Sequence, residues 1–116
     1  MDSSRRRELR EQYKEVKTMM GVYKITNIRT GRILVASANN LKNKWESIKM
    51  RLAIGQHVSA ALNADWKSFG ADAFEYEILE QTETDKVSDI PYELRQMEKK
   101  WLERLCPYDE AGYNKR

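Results

Sequence analysis

Tyr23, Lys44, His57, Glu98 and Asn114 are the side chains able to do chemistry: a phenol, an ammonium, an imidazole, a carboxylate and an amide. Such groups exchange protons or hold charged ligands. Composition and periodicity alone do not connect them. The sole histidine excludes any multi-histidine metal site. The chain also has no Cys/His cluster, no phosphate-binding glycine loop, no dinucleotide fingerprint and no defensible Ser/His/Asp set. Each of the five has a structural reading too. Tyr23 reads as a half-buried strand tyrosine and Lys44 as a solvated lysine. His57 reads as a brace for the turn before a helix, and Glu98 as a helix glutamate paired with a cation. Asn114 reads as a tie for the C-terminus.

The elements that must position these groups are organised around residues 20–52. Gly21-Val22-Tyr23 opens a strand rich in β-formers, Arg29-Thr30-Gly31 turns it, and Ile33 to Ser37 returns. Both faces of that second strand are apolar, so cover is expected on both sides. Asn39 and Asn40 offer side-chain oxygens to start a helix reaching about Ala53, with Leu41, Trp45, Ile48 and Leu52 on its core face. This frame sets a strand tyrosine, Tyr23, near a helix cation, Lys44.

After Gly55, a second helix runs through Ser68 with the stripe Val58, Leu62, Trp66, Phe69. Residues 73–80 alternate as a strand with Phe74, Tyr76 and Ile78 inward. Residues 81–90 read as a loop. Pro91 suits the first turn of a last helix, whose core stripe is Leu94, Met97, Trp101 and Leu105. Ahead of all this, residues 1–18 read as a charged helix, capped by Ser3 or Ser4 and carrying one thin apolar stripe of Leu9, Tyr13 and Val16. Arg5-Arg6-Arg7 would make it a basic arm, but Glu8, Glu11 and Glu15 dilute the charge. The fold class is α+β: a small three-stranded antiparallel sheet flanked by helices, with residues 1–18 an extra N-terminal helix and 19–116 one domain.

The bulk numbers agree. The chain has 116 residues, 41% hydrophobic and 34% charged, with a net charge of +3. That is one domain with a modest core and a mildly basic surface, compatible with phosphate-rich partners. No apolar run reaches the roughly 20 residues of a membrane span, and no secretory leader is visible. The lone Cys106 cannot form an internal disulfide and reads as a small buried hydrophobe at a helix exit, in a reducing cytoplasm. Trp45, Trp66 and Trp101 sit on helix stripes and read as core, not as base-stacking platforms.

The ordered motifs resemble the GIY-YIG nuclease family. Gly21-Val22-Tyr23 stands for the first motif and Leu34-Val35-Ala36-Ser37 for the second. Asn40 to Trp45, Gly55-x-His57, Leu62, Trp66, Gly70, Ala73-Phe74, Ile78-Leu79-Glu80, Glu98-x-x-Trp101 and Gly112-Tyr113-Asn114 follow in order. The resemblance covers about residues 20 to 114. It implies metal-dependent hydrolysis of a nucleic-acid phosphodiester. Tyr23 would help to activate water, and Glu98 would hold one Mg²⁺ or Mn²⁺. Lys44 would stand where an arginine binds phosphate, and His57 would form part of the site. Lys42, Lys44, Lys49, Arg51 and Asn114 would contact nucleic acid, DNA or another.

The chain departs from the pattern at four positions. Leu34 replaces a second tyrosine, Lys44 the arginine, Ile48 a frequent histidine and Ala36 the motif glycine. Leucine transfers no proton, and lysine lacks the planar fork of arginine. Loss of one preorganised donor costs a factor of about 10² to 10³ in rate. The leading expectation is therefore an eroded site that binds nucleic acid with little or no endonuclease activity, leaning away from an enzyme. The alternatives are a working divalent-metal-dependent endonuclease and a protein-interaction module without nucleic acid. The sequence leaves oligomeric state open.

Overall fold

The computed structural model describes residues 17–115. The expected N-terminal helix, with its Ser3 or Ser4 cap and Arg5-Arg6-Arg7, lies outside the described residues apart from Lys17 and Thr18. These two lead straight into the sheet: the Thr18 carbonyl accepts from Thr84 N–H at 2.9 Å.

Strand β1 (Met19–Asn27) is the middle of a three-stranded sheet, between β2 (Ile33–Ala38) and β3 (Phe74–Glu83), and both pairings are antiparallel. Side chains alternate across a strand, so β1 feeds two cores. Tyr23 and Ile25, with Leu34, Ala38 and Phe74, face α1 (Lys44–Ala53) and α2 (Ala60–Phe69), which contribute Ile48, Leu52 and Leu62. Met20, Val22 and Val35 face α3 (Ile90–Leu105), which contributes Met97, backed by Leu94, Trp101 and Leu105. Cover on both faces of β2 is thus as expected. The architecture is α+β, a three-stranded antiparallel sheet between helices.

Gly21 has a steric reason. A Cβ there would lie 1.9 Å from the Glu80 carbonyl oxygen, beside a bulge where β1 and β3 shift register between Val22 and Tyr23. The exposed edge of β2 is closed by the C-terminal tail. Tyr113 N–H donates to the Ile33 carbonyl at 2.8 Å. The Asn114 side chain then acts as a further rung: its Oδ1 accepts from Val35 N–H at 2.9 Å and its Nδ2 donates to the Val35 carbonyl at 2.7 Å. An edge so paired cannot recruit another strand. Behind it, Tyr113 is clasped by Asp65 (2.6 Å), by Asn27 (3.1 Å) and by the Arg32 guanidinium over its ring at 4.5 Å.

Local expectations fail where tertiary partners intervene. The helix expected from Asn39 starts at Lys44. Leu41 N–H is held by the Met19 carbonyl, Asn40 Oδ1 closes a turn onto Lys42 N–H, and Asn43 is left-handed at φ 56. Val58 is exposed because α2 starts after its cap, Ser59, whose Oγ accepts from Leu62 N–H. The strand expected to end at Glu80 runs to Glu83, because β1 supplies partners as far as Met19. Ile78 is exposed: the aromatic row that covers β3 reaches only Phe74, tilted against Trp66, and Tyr76, stacked on Trp45. Cys106 is exposed as well, since it caps α3 in the left-handed conformation, at φ 45.

Candidate functional site

Tyr23 occupies the middle of β1, paired with Ala36 on β2 and Ile78 on β3. Its ring is buried against Tyr76, with centroids 5.4 Å apart. The small Ala36 beside it leaves space at the β2 edge. There a cavity of about 310 Å³ opens, lined by Tyr23, His57 and Glu98 together with Leu34, Ala36 and Lys115. The structure thus brings together four of the expected site residues, Tyr23, His57, Glu98 and Asn114, from β1, the α1–α2 loop, α3 and the C-terminal tail, far apart in the chain.

Each is held by a different device. The loop leaves α1 through Gly55 at φ 72, with Gln56 N–H on the Arg51 carbonyl at 2.8 Å. Asn63 on α2 then grips the His57 backbone on both sides: its Oδ1 accepts from His57 N–H at 3.2 Å, and its Nδ2 donates to the His57 carbonyl at 2.6 Å. The His57 ring turns back so that Nδ1 accepts from Ser59 N–H at 3.0 Å. Glu98 is half-buried next to the core residue Met97, and its Oε2 accepts from Ser37 Oγ at 2.6 Å. That short, charge-assisted bond fixes the carboxylate rotamer. Glu98 also borders a second cleft with Arg95, Lys99 and Tyr108. A larger cavity near Val87, Asp89 and Tyr92 contains none of the candidate groups and lies away from this chemistry.

Burial first, then the neighbouring Tyr76 and Glu98, push the Tyr23 hydroxyl up to about 12, against an opposing pull from Arg51. A phenol at that value is ionised in about one molecule in 10⁵ at pH 7. Tyr23 is therefore a hydrogen-bond donor at neutral pH and not a ready base. Burial first, then the charges of Arg51 and Lys44, hold the His57 imidazole below its usual range.

The expected cations separate by position. Lys44, half-buried at the start of α1, is absent from the cavity wall, and its charge reaches His57. Arg51, two turns further along, acts on both Tyr23 and His57. Its guanidinium has no ion-pair partner among the described residues. Lys49 is engaged with Glu46 at 3.1 Å and lies over Trp45 at 5.5 Å. Lys42 is exposed ahead of the helix. Asn114 lines the cavity, but its amide is committed to Val35. Trp45 and Trp66 pack against one core and Trp101 against the other, as their stripes imply.

Two site residues were not singled out from sequence. Lys115 lines the cavity and had no signal beyond following Gly112-Tyr113-Asn114. Ser37 was visible only as part of the second motif, since nothing local ties it to Glu98, 61 residues away.

Among the described residues, no group of three or more His, Cys, Asp or Glu could hold a metal ion. Glu98 offers one carboxylate, with one oxygen on Ser37 and the other uncommitted to any described residue. Such a donor set fits a hard divalent cation only if water and a ligand's phosphate oxygens complete its shell, which Mg²⁺ accepts. No described helix is long and apolar enough to cross a membrane.

Solved structures resemble the chain at 26–27% identity. The catalytic domain of the homing endonuclease I-TevI superposes with a TM-score of 0.68 at 27% identity, over 84% of this chain and 98% of that one. A point mutant of the catalytic domain of the intron endonuclease I-TevI gives a TM-score of 0.68 at 26% identity, over 83% of this chain and 92% of that one. No family model matches the sequence, and no curated protein matches it.

Proposed function

We propose that this domain, which has the GIY-YIG endonuclease-like fold, binds nucleic acid through its phosphates at the Tyr23–His57–Glu98 cavity and cleaves it weakly or not at all. One observation carries the reading. The cavity gathers Tyr23, His57 and Glu98, yet its wall also includes Leu34, opposite Ile25 on the sheet, a hydrocarbon where the motif resemblance places a second phenol. Binding groups remain, and the proton-transfer pair does not. Tyr23, at about 12, points the same way, because it donates to a phosphate oxygen more readily than it takes a proton from water.

The positive charge of the site comes from Lys115 on the cavity wall and from Arg51 and Lys44, whose charges reach His57 from α1, so the phosphate is held by charge more than by a single planar fork. Glu98 would hold one Mg²⁺ or Mn²⁺ jointly with phosphate oxygens. When bound, such an ion supplies positive charge at the phosphoryl group. Ser37 would keep the carboxylate aimed at it, while Leu34 and Ala36 keep that wall free of competing polar groups.

A working metal-dependent endonuclease is the second reading. The 2.6 Å Ser37–Glu98 bond favours it, because a carboxylate fixed in one rotamer is what metal chemistry requires.

The test is to measure binding of a fluorescent DNA duplex against salt, and cleavage of supercoiled and single-stranded DNA in Mg²⁺ and Mn²⁺. Three phosphate contacts predict a log–log salt slope of about −3. Binding with that slope and no cleavage supports the proposal. Cleavage that vanishes in Glu98→Ala establishes the endonuclease instead. No binding at low salt defeats both readings.

A further inference from the structure

The wall of the cavity contains an imidazole whose protonation is decided by its neighbours. Ser59 N–H is the N-cap amide of α2, and it points at His57 Nδ1 from 3.0 Å. A backbone N–H can only donate, so Nδ1 must be the unprotonated nitrogen. In a neutral ring the proton then sits on Nε2. Turning the ring over would place a carbon at Ser59 N–H and strand a helix-terminal donor. Protonating it would set two N–H groups against each other across 3.0 Å.

The charges around the ring oppose protonation as well. Arg51 and Lys44 face it from α1, and the positive end of the α2 dipole lies behind it. Lys115 stands on the cavity wall from the tail, and Glu98 is the one carboxylate lining that wall among the described residues. Asn63 holds the His57 backbone from both sides, so the ring cannot easily move to relieve these contacts. With Nδ1 committed, Nε2 is the free edge of a ring that lines the cavity, and it has no partner among the described residues.

We propose that His57 is locked as the neutral Nε2–H tautomer and donates a hydrogen bond to a non-bridging phosphoryl oxygen, and so does not serve as a base. This rests on the proposed binding of phosphate in the cavity. No proton changes owner: Nε2 keeps its hydrogen, and the phosphate gains a neutral donor beside the cations. A neutral donor at a helix N-terminus polarises an oxygen without the desolvation cost of a buried charge.

Two measurements test it on the full chain. Long-range ¹H–¹⁵N correlation spectra of ¹⁵N-labelled protein at neutral pH, which need no substitution, should show Nδ1 as the pyridine-type nitrogen and Nε2 as the pyrrole-type one. The reverse pattern, an imidazolium pattern or a tautomer average overturns the inference. The second is duplex DNA affinity at fixed low salt for His57→Gln and His57→Asn. Glutamine places an N–H near the Nε2 position but gives up the brace to Ser59. Asparagine keeps an acceptor for Ser59 N–H but loses the distal donor. A phosphoryl donor makes Asn the worse variant, by about tenfold relative to wild type, with Gln losing less. A purely structural brace reverses that order, and the reversed order, or equal losses, overturns the inference while leaving nucleic-acid binding intact. Absence of binding by the wild type overturns the donor role together with the functional reading.

Discussion

Asn114→Ala should destabilise the domain by about 2 kcal/mol. The side chain makes two hydrogen bonds, at 2.9 and 2.7 Å, to the N–H and carbonyl of Val35, a residue only 1% exposed. Each such bond is worth about 1 kcal/mol net, and more where water cannot replace it. No other described element lies on that edge of β2 to take over. For a domain of this size the loss is about 10 °C in Tm. Asn114→Asp separates hydrogen bonding from shape. It keeps an acceptor for Val35 N–H but turns a carboxylate oxygen onto the Val35 carbonyl, so it should be less stable than Asn114→Ala at neutral pH. Urea unfolding followed by circular dichroism gives both values, with an unchanged m-value showing that the unfolded state is the same. An Ala variant within about 0.5 kcal/mol of wild type, or an Asp variant more stable than Ala, refutes the side-chain rung and with it the closed edge.

Ser37→Ala should weaken divalent-ion binding in the DNA-bound protein by about tenfold, because Glu98 loses its rotamer lock; Mn²⁺ titration of the complex checks this, and unchanged affinity removes Ser37 from the site. The Tyr76 hydroxyl is buried without a hydrogen-bond partner among the described residues, so Tyr76→Phe should raise stability by about 1 kcal/mol, and a lower Tm in thermal melts contradicts the orphaned hydroxyl. Since folding lowers the His57 pKa, the unfolded chain binds the proton more readily. That contribution is complete above about pH 6.5 and is lost as pH falls through the folded value. His57→Gln should flatten the pH dependence of urea midpoints in that range, and a slope equal to wild type rejects the assignment.

The sheet and helices were legible because local physics and tertiary structure agree there. Ile48 and Leu52 of α1, and Leu94, Met97, Trp101 and Leu105 of α3, recur at helical spacing, and those faces are the ones that pack against the sheet. Gly21 and Tyr23 were legible as a motif, although the glycine's steric reason, the Glu80 carbonyl, lies on another strand. Legibility failed where a long-range bond claimed a local donor. The Met19 carbonyl takes Leu41 N–H and delays α1 to Lys44; the tie read for Asn114 was legible, but its partner, the Val35 backbone 79 residues away, was not. Arg51 was readable as one more basic residue of a helix, but its action on both Tyr23 and His57 was not.

By itself the sequence determined the α+β class, the hairpin followed by an amphipathic helix, and the identity of the groups available for chemistry. Periodicity and turn residues act over a few positions, and the sequence contains them directly. Only the tertiary structure decided which groups share one cavity. It also decided that Ser37 aims Glu98, that Ser59 selects the nitrogen on which His57 carries its proton, and that burial keeps Tyr23 protonated. Those properties depend on distances of about 3 Å and on exclusion of water, between residues far apart in the chain, and such distances exist only once the sheet has closed.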